Sequence, residues 1–157
     1  MTKIPAILVA AGIGGAGIAY ADDAKPLPPL KIQANAELVT YEHLEALNAC
    51  DWDRLMAQYP EEVLFILPNG TWVEGRRAIG DVFAGFCTPR EEGGFKGATF
   101  IPEKVKTVEN TVNVSWRVEA DWLAEPYKGA DAYVTHDELM YVQVTTFDPA
   151  DMKFKDN

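Results

Sequence analysis

The sequence predicts one small α+β domain in which helices come first and long antiparallel strands follow. Up to about residue 50, apolar positions recur at three- and four-residue steps, which is typical of one helix face. Beyond residue 98, β-prone runs alternate with turn residues. The chain has 157 residues, 48% hydrophobic and 24% charged, the composition of an ordinary globular domain. Helices followed by strands are typical of a sheet covered by helices on one side.

The N-terminus has the pattern of a cleavable export signal. Lys3 supplies a positive start, Ile4–Ile18 is uncharged and mostly apolar, and Ala19-Tyr20-Ala21 has the small-x-small cleavage pattern. The apolar run of about 15 residues is shorter than the roughly 20 that a membrane-spanning helix needs. We therefore expect a signal peptide over residues 1–21, an exported (periplasmic or secreted) protein that begins near Asp22, and no stable membrane insertion after cleavage.

A glycine-rich motif in the same segment matches the dinucleotide-binding pattern G-x-G-x-x-G, from Gly12 to Gly17. That motif binds a pyrophosphate only when a helix follows it. Here Pro26, Pro28 and Pro29 follow instead, so we interpret the glycines as part of the signal. The proline-rich residues 22–36 are predicted to be a linker, and residues 37–157 the single folded domain.

Charge and cysteine content restrict the partners. The formal net charge is −10, and removal of residues 1–21 with Lys3 makes it −11, which disfavours nucleic acid as a partner. Cys50 and Cys87 form no C-x-x-C pair, and with only His43 and His136 they give no metal-ligand spacing. We expect no metal and no cofactor. Pairing of the cysteines needs Cα atoms within about 7 Å, which the sequence leaves open.

The predicted elements begin with helices and a hairpin. Small or apolar positions mark one face of a first helix over about residues 37–50: Thr40, His43, Leu44, Leu47 and Cys50. A short second helix follows over residues 52–59. Residues 63–67 form a continuous β-prone run that Pro68-Asn69-Gly70 closes as a turn, so Thr71–Glu74 is predicted to be the return strand.

A third amphipathic helix and the main strands complete the domain. Ile79, Val82 and Phe83 have helical spacing within residues 75–86. Strands are predicted over residues 98–101, 105–108, 112–123 and 132–147. In the third of these, alternation places one set of apolar residues on a single face: Val114, Trp116, Val118, Ala120 and Trp122.

Three motifs carry a family resemblance. They are Leu47–Leu55 with its N-x-x-D-x-x-x-L helix break, Glu61-Glu62-Val63, and Val73–Ile79 with G-R-x-A-I. In this order they resemble the nuclear transport factor 2-like superfamily in its SnoaL-like branch, over about residues 37–150. The resemblance implies a curved antiparallel sheet wrapped around the N-terminal helices, with a conical pocket between them. In the motifs, Asp51 or Asp53 can cap the second helix, and Gly75 permits a sharp start of the third.

The resemblance does not settle the activity, because members include ketosteroid isomerases, polyketide cyclases, dehydratases and noncatalytic binding domains. Alignment of the motifs with the isomerases places His43 at their tyrosine, Leu67 at their proton-moving aspartate, and Gln143 or a neighbour at their late acid. Leucine cannot accept a proton. We therefore reject the ketosteroid isomerase mechanism for this chain.

The candidate catalytic residues are His43, His136, Asp137 and Glu138. If residues 132–147 form one strand, His136 and Glu138 share a face with Met140, and the imidazole could act as a general base beside a carboxylate. His136 and the neighbouring carboxylate could instead form a surface salt bridge, and His43 could be a core residue. We expect His43 and at least one residue of 136–138 to reach the same cavity.

Aromatic residues supply the candidate ligand contacts. With one methionine they are Tyr59, Phe65, Trp72, Phe83, Trp116, Trp122 and Met140, and plain core packing is the alternative for them. The function predicted is an exported domain that binds a small apolar or aromatic molecule, with acid–base chemistry of an isomerase, cyclase or dehydratase type as an option. The rival hypothesis is a noncatalytic protein that uses its sheet to form a homodimer or to hold a partner.

Overall fold

The computed structural model describes residues 25–155, so the predicted signal peptide lies outside the described residues. The helices are α1 (Ala36–Asn48), α2 (Trp52–Met56) and α3 (Arg76–Phe86), with 3₁₀ turns at Arg90–Glu92 and Pro149–Asp151. The strands are β1 (Leu64–Ile66), β2 (Trp72–Glu74), β3 (Thr99–Val108), β4 (Thr111–Glu119), β5 (Tyr127–His136) and β6 (Leu139–Thr145). No described helix is both long enough and apolar enough to cross a lipid bilayer.

The six strands form one sheet in the order β2-β1-β6-β5-β4-β3. Helix α1 contacts β3, β4, β5 and β6, so the helices cover one face of the sheet. This confirms the α+β class. One detail differs from the all-antiparallel prediction, because β1 pairs parallel to β6. One edge of β1 pairs with β2 in the hairpin. The other edge pairs with β6, which comes much later in the chain.

The local signals at the helix starts act as predicted. Asp51 caps α2 by accepting a hydrogen bond from the backbone N–H of Arg54 at 3.1 Å. Gly75 precedes α3 with φ of 87°, a left-handed conformation that favours glycine. Asn35, a cap that was not predicted, begins α1 by accepting from the N–H of Leu38 at 2.9 Å. These caps satisfy backbone donors that a helix start leaves free.

The last strand prediction was wrong, because residues 132–147 are two strands. Asp137 and Glu138 have φ of 48° and 56° and form a two-residue turn between β5 and β6. Such turns usually contain glycine or asparagine, so Asp-Glu gave no turn signal. The strand β5 also begins earlier than predicted, at Tyr127, and Gly129 lies within it.

Position 129 inside strand β5 is a glycine because a tryptophan ring occupies the space above it. A Cβ added at Gly129 would lie too close to the ring of Trp116, its partner across the β4–β5 pair. We expect Gly129→Ala to lower the free energy of unfolding by about 1–3 kcal/mol, the usual cost of overpacking. The matched control is Gly85→Ala, since Gly85 is helical and has open space around its Cα.

In that control, alanine should be neutral or should stabilise by about 0.5–1 kcal/mol, because it removes the entropy cost of a helical glycine. Urea unfolding of both variants measures the difference. Equal stability of the two variants would show that Trp116 does not occupy the space above Gly129.

The proline-rich segment, as far as it is described, has no helix or strand and lies along the domain. The backbone N–H of Lys31 donates to the carbonyl of Ala57 at 2.8 Å. Arg76 donates to the carbonyls of Pro28 and Met56. Residues 25–35 are therefore fastened to α2 and α3.

Candidate functional site

A buried polar network sits between α1 and the sheet. His43 on α1 is fully buried, and its Nδ1 lies 3.1 Å from the hydroxyl of Tyr59. That hydroxyl donates to Oε1 of Gln143 on β6 at 2.8 Å. Because the hydroxyl has one hydrogen and gives it to Gln143, Nδ1 of His43 must be the donor in the first bond. Nε2 of His43 is then an acceptor, and it is buried without a hydrogen-bond partner among residues 25–155.

A second polar pair lies beside this network on the inner face of β5. The hydroxyl of Tyr133 donates to Oδ2 of Asp131 at 2.9 Å. Tyr133 is opposite Gln143 in the β5–β6 pair, and its ring centroid is 5.4 Å from that of His43. We call Asp131 and Tyr133 the inner polar pair.

Burial determines the protonation of these groups. It raises the pKa of the Asp131 carboxyl above its usual range, although hydrogen bonds such as that from Tyr133 oppose the shift. Burial also lowers the pKa of His43 to about 3, so the imidazole is neutral at physiological pH. The site therefore combines a half-buried carboxyl whose pKa is raised with an uncharged imidazole acceptor.

A cluster of aromatic rings covers the inner polar pair from the end of the domain opposite the β5–β6 turn. The ring cluster consists of Phe86, Phe95, Phe100, Trp116, Tyr127 and Phe147. Neighbouring ring centroids in it lie 5.1 to 6.1 Å apart. Trp116 pairs with Gly129, two residues before Asp131 on the same strand face. The rings thus fill the space where the sequence predicted an open pocket.

Two open clefts of the described chain lie on its outside. One, of about 450 Å³, runs between the proline-rich segment and the α1–α2 helices. The other, of about 320 Å³, lies between the start of α1 and the two hairpin turns at residues 109–110 and 137–138. No group of three or more His, Cys, Asp or Glu side chains within residues 25–155 is arranged to hold a metal ion.

Comparison with known families identifies the architecture. The family model described as the SnoaL-like domain matches residues 41–154. The chain belongs to the SnoaL-like family. The resemblance stated from the three motifs is therefore confirmed. A comparison with curated protein sequences finds no match.

Several solved structures share the fold of this SnoaL-like domain. A nuclear transport factor 2-like protein of unknown function from Cytophaga hutchinsonii has a TM-score of 0.60 and 15% identity, covering 77% of this chain and 96% of its own. A computationally designed 17-OHP binder has a TM-score of 0.62 and 13% identity, covering 78% and 97%. TerC, co-crystallized with polyporic acid, has a TM-score of 0.61 and 13% identity, covering 73% and 92%. At these identities the likeness shows the fold alone.

The predicted catalytic residues do not meet in this SnoaL-like domain. His43 is fully buried, whereas the side chain of His136 is 66% exposed, with Nε2 3.6 Å from Oδ2 of Asp137. The expectation of one shared cavity was wrong, because residues 137–138 are a turn that places the group at the surface, outside the core in which His43 is buried. His136, Asp137 and Glu138 instead line the smaller outer cleft.

The predicted ligand contacts divide into three groups. Five are buried in the core: Tyr59, Phe65, Phe83, Trp116 and Met140. Trp122 is half-buried, and its ring centroid lies 5.9 Å from that of Phe95 in the ring cluster. Trp72 is 62% exposed and points away from the interior, because Val73 takes the inward position on the edge strand β2.

Asp131 is the interior group that sequence reasoning missed. The predicted strands end at residue 123 and resume at residue 132, so Gly129 and Asp131 fell in the loop between them. The signal was present in the alternation of Tyr127, Gly129, Asp131 and Tyr133. Reading Gly129 as a strand residue would have placed Asp131 on the inner face.

The buried imidazole gives a pH-dependent prediction. Unfolded His43 binds a proton near its ordinary pKa of about 6.5, whereas the folded imidazole stays neutral down to about pH 3. The unfolded state then binds more protons, so the contribution of His43 to stability is lost as the pH falls. The slope is at most about 1.4 kcal/mol per pH unit.

Comparing the pH dependence of stability of the wild-type protein with that of His43→Gln isolates this effect, because both proteins contain all the other titrating groups. Between about pH 6.5 and 4.5 the wild-type protein should lose about 2 kcal/mol more than the variant. Denaturant unfolding across this range measures the difference. Parallel pH profiles would mean that His43 is protonated in the folded protein.

Proposed function

We propose that this SnoaL-like domain binds a small apolar or aromatic molecule in the space between α1 and the sheet, which we call the cone. The ligand lies there against the ring cluster and the inner polar pair. The observation that carries the proposal is the position of Asp131 and Tyr133, a polar pair set in an aromatic interior. A few placed polar groups in an apolar site are typical of small-molecule binding.

Movement of the rings is needed for a ligand to reach this interior. Phe86 is the last residue of α3, and Phe147 lies beyond the end of β6; both are half-buried. Their displacement does not break a strand pair. A planar ligand would replace ring–ring contacts by ring–ligand contacts of the same kind, so the exchange costs little.

Two solved structures of the same fold support small-molecule binding as the function. The designed 17-OHP binder and TerC with polyporic acid are both described by a small organic molecule that they bind or were crystallized with. For this chain we propose the class of an apolar or aromatic molecule. Within the cone, Asp131 replaces residues 136–138 as the group best placed to exchange a proton with it.

Uncharged planar probes test the proposal. We expect 2-naphthol to bind the wild-type protein measurably in isothermal titration calorimetry. The double variant Asp131→Leu with Tyr133→Phe removes both members of the inner polar pair and leaves neither unpaired, which limits the effect on folding. It should bind 2-naphthol about tenfold more weakly, the loss of one hydrogen bond of about 1.4 kcal/mol.

The matched control is Tyr141→Phe, which removes a hydroxyl from a half-buried tyrosine that contacts the exposed His136. It should bind like the wild-type protein. Equal affinity of all three proteins would place the probe outside the cone. No detectable binding of 2-naphthol or 2-naphthamide would refute the proposal.

We also propose that the protein is exported. The N-terminal pattern of residues 1–21 motivated this, and the pairing of Cys50 with Cys87 supports it, because disulfides persist in oxidising compartments. Mass spectrometry of the protein from its native host should find a new N-terminus near Asp22. An intact Met1 on protein from the cytoplasmic fraction would contradict export.

A second candidate function, homodimer formation, is favoured by the outer face of the sheet. An apolar patch crosses β2, β1, β6 and β5 there, formed by half-buried or exposed side chains: Trp72, Leu64, Ile66, Val142, Val144, Ala132 and Val134. These side chains are uncharged on a protein with a net charge of −10, and the exposed Glu74, opposite Leu64 on the edge strand β2, lies at the border of the patch. A second copy fits it, because a two-fold interface pairs the same patch from both chains and keeps the acidic surfaces at its rim.

Sedimentation analysis tests the dimer. The wild-type protein should sediment as a dimer at micromolar concentration, and Val142→Lys, in the centre of the patch, as a monomer. The control Leu38→Lys adds the same charge at an exposed position on α1, which covers the other face of the sheet, and it should remain dimeric. A monomeric wild-type protein would exclude this candidate.

A further inference from the structure

We propose that the molecule bound in the cone carries a carboxylate, which Arg90 and Trp122 hold at the rim of the ring cluster. The inference rests on the proposed function and adds the charge of the ligand. Its basis is the meeting of two hydrogen-bond donors that have no acceptor among the described residues, at a point where the aromatic interior reaches the surface.

Three segments build this rim. They are the 3₁₀ turn that begins at Arg90, the loop of residues 120–125, and the C-terminal residues 152–155. The last two are joined by backbone hydrogen bonds, from Ala124 N–H to the carbonyl of Lys153 at 2.9 Å and from Lys155 N–H to that of Trp122 at 3.0 Å. The backbone therefore holds the loop of residues 120–125 and residues 152–155 together at the rim.

Arg90 is held at the rim by ring faces. Its guanidinium lies 4.1 Å from the ring centroid of Phe154 and 5.8 Å from that of Trp122. Among residues 25–155 it makes no ion pair and no side-chain hydrogen bond, although the turn also contains Glu91 and Glu92. The other described arginines all donate hydrogen bonds: Arg54, Arg76, Arg77 and Arg117. The five N–H donors of Arg90 are thus oriented but unused.

Trp122 supplies the second unused donor. Its Nε1–H is buried and has no acceptor within the described part of the chain. An indole N–H and a guanidinium both donate hydrogen bonds and accept none. Two donor groups at one place favour a ligand group that only accepts, which is an anion.

The rim is continuous with the ring cluster. The ring of Trp122 lies 5.9 Å from Phe95, and Phe95 lies 5.1 Å from both Phe86 and Phe147. An anionic group at Arg90 therefore places the rest of the ligand among these rings. The ligand class that fits both parts is an aromatic or apolar carboxylic acid.

A carboxylate suits this rim better than a phosphate does. One guanidinium binds the two oxygens of a planar carboxylate side by side. A phosphate dianion would carry twice the charge toward a protein of net charge −10, with Glu91 and Glu92 on the same turn. Arg90 is the rim cation that contacts the rings, whereas Lys153 at the same rim is paired with Glu125 at 2.7 Å.

A pair of probes with the same ring and different charge tests the inference. Calorimetry at pH 7 should show that the wild-type protein binds 2-naphthoate about tenfold more tightly than uncharged 2-naphthamide, as expected for one charge-assisted interaction. Arg90→Met should lose this preference while keeping its affinity for 2-naphthamide. Trp122→Phe, which keeps a ring and removes the N–H, should lose part of the preference.

Arg77→Met is the matched control, since Arg77 is a distant arginine that bonds to the carbonyl of Lys25. It should keep the full preference. Equal binding of the two probes by the wild-type protein would overturn the carboxylate inference and leave the proposed function intact. Failure of both probes to bind would overturn both. A preference that survives in Arg90→Met, with unchanged thermal unfolding, would also overturn it.

Discussion

Replacing Arg76 by methionine is expected to lower the free energy of unfolding by about 3 kcal/mol, the usual cost of breaking a buried charged interaction. Arg76 is 7% exposed. Its Nε and Nη2 donate to the carbonyl of Met56 at 3.0 and 2.7 Å, and Nη2 also donates to that of Pro28. Methionine fills part of the space but leaves both carbonyls without their donor. The proline-rich segment would then lose its attachment to α3.

Chemical denaturation measures the loss, and limited proteolysis between residues 25 and 35 reports the released segment. The control Arg77→Met replaces the neighbouring arginine, which makes a single bond to the carbonyl of Lys25. It should cost no more than about 0.5 kcal/mol, as surface substitutions usually do. Similar losses for both variants would contradict the anchoring role of Arg76.

Removal of the disulfide should have an effect of similar size. Cys50 follows α1 and Cys87 follows α3, and they are paired across a sequence separation of 37 with Cα atoms 5.5 Å apart. Closing a loop of this length restricts the unfolded chain and contributes about 3–4 kcal/mol by the chain-entropy estimate. Cys50→Ser with Cys87→Ser should therefore lower the unfolding free energy by about that amount.

Reduction provides the control for the disulfide prediction. A reducing agent should destabilise the wild-type protein toward the level of the double serine variant and leave that variant unchanged. Reduction of the wild-type protein with no loss of stability would contradict a disulfide in the folded domain.

The elements that the sequence predicted well depend on local signals. Asp51 as a helix cap, the turn at Pro68-Asn69-Gly70 and the start of α3 after Gly75 each follow from a residue type that one backbone conformation requires. The order of these signals also carries the family resemblance. Fold and family could therefore be predicted from one sequence.

The candidate site was harder to predict because it depends on long-range packing. The Asp137-Glu138 turn uses left-handed conformations at residues that seldom adopt them, so the strand periodicity continued through the turn. Gly129 was taken as a loop residue. It lies in a strand, where the ring of Trp116 leaves no room for a Cβ. Because of these two errors, the site was expected at residues 136–138 and not at Asp131.

The filling of the cone could not be read from the sequence either. The same alternation predicts inward aromatic residues whether they pack on each other or on a ligand. The structure places the rings against each other, with half-buried members at the ends of α3 and β6. Whether they move aside for a ligand is the central question about function.

Indole NMR signals of the four tryptophans answer that question most directly. Trp116 and Trp122 lie at the ring cluster and its rim, Trp72 lies on the outer face, and Trp52 lies on α2 against Gly80. Single Trp→Phe substitutions assign the four signals. On titration with 2-naphthol, a ligand in the cone predicts saturable shifts of the Trp116 and Trp122 signals and little change at Trp72 and Trp52. Shifts confined to Trp72, or no saturable shift at Trp116, would contradict binding inside the cone.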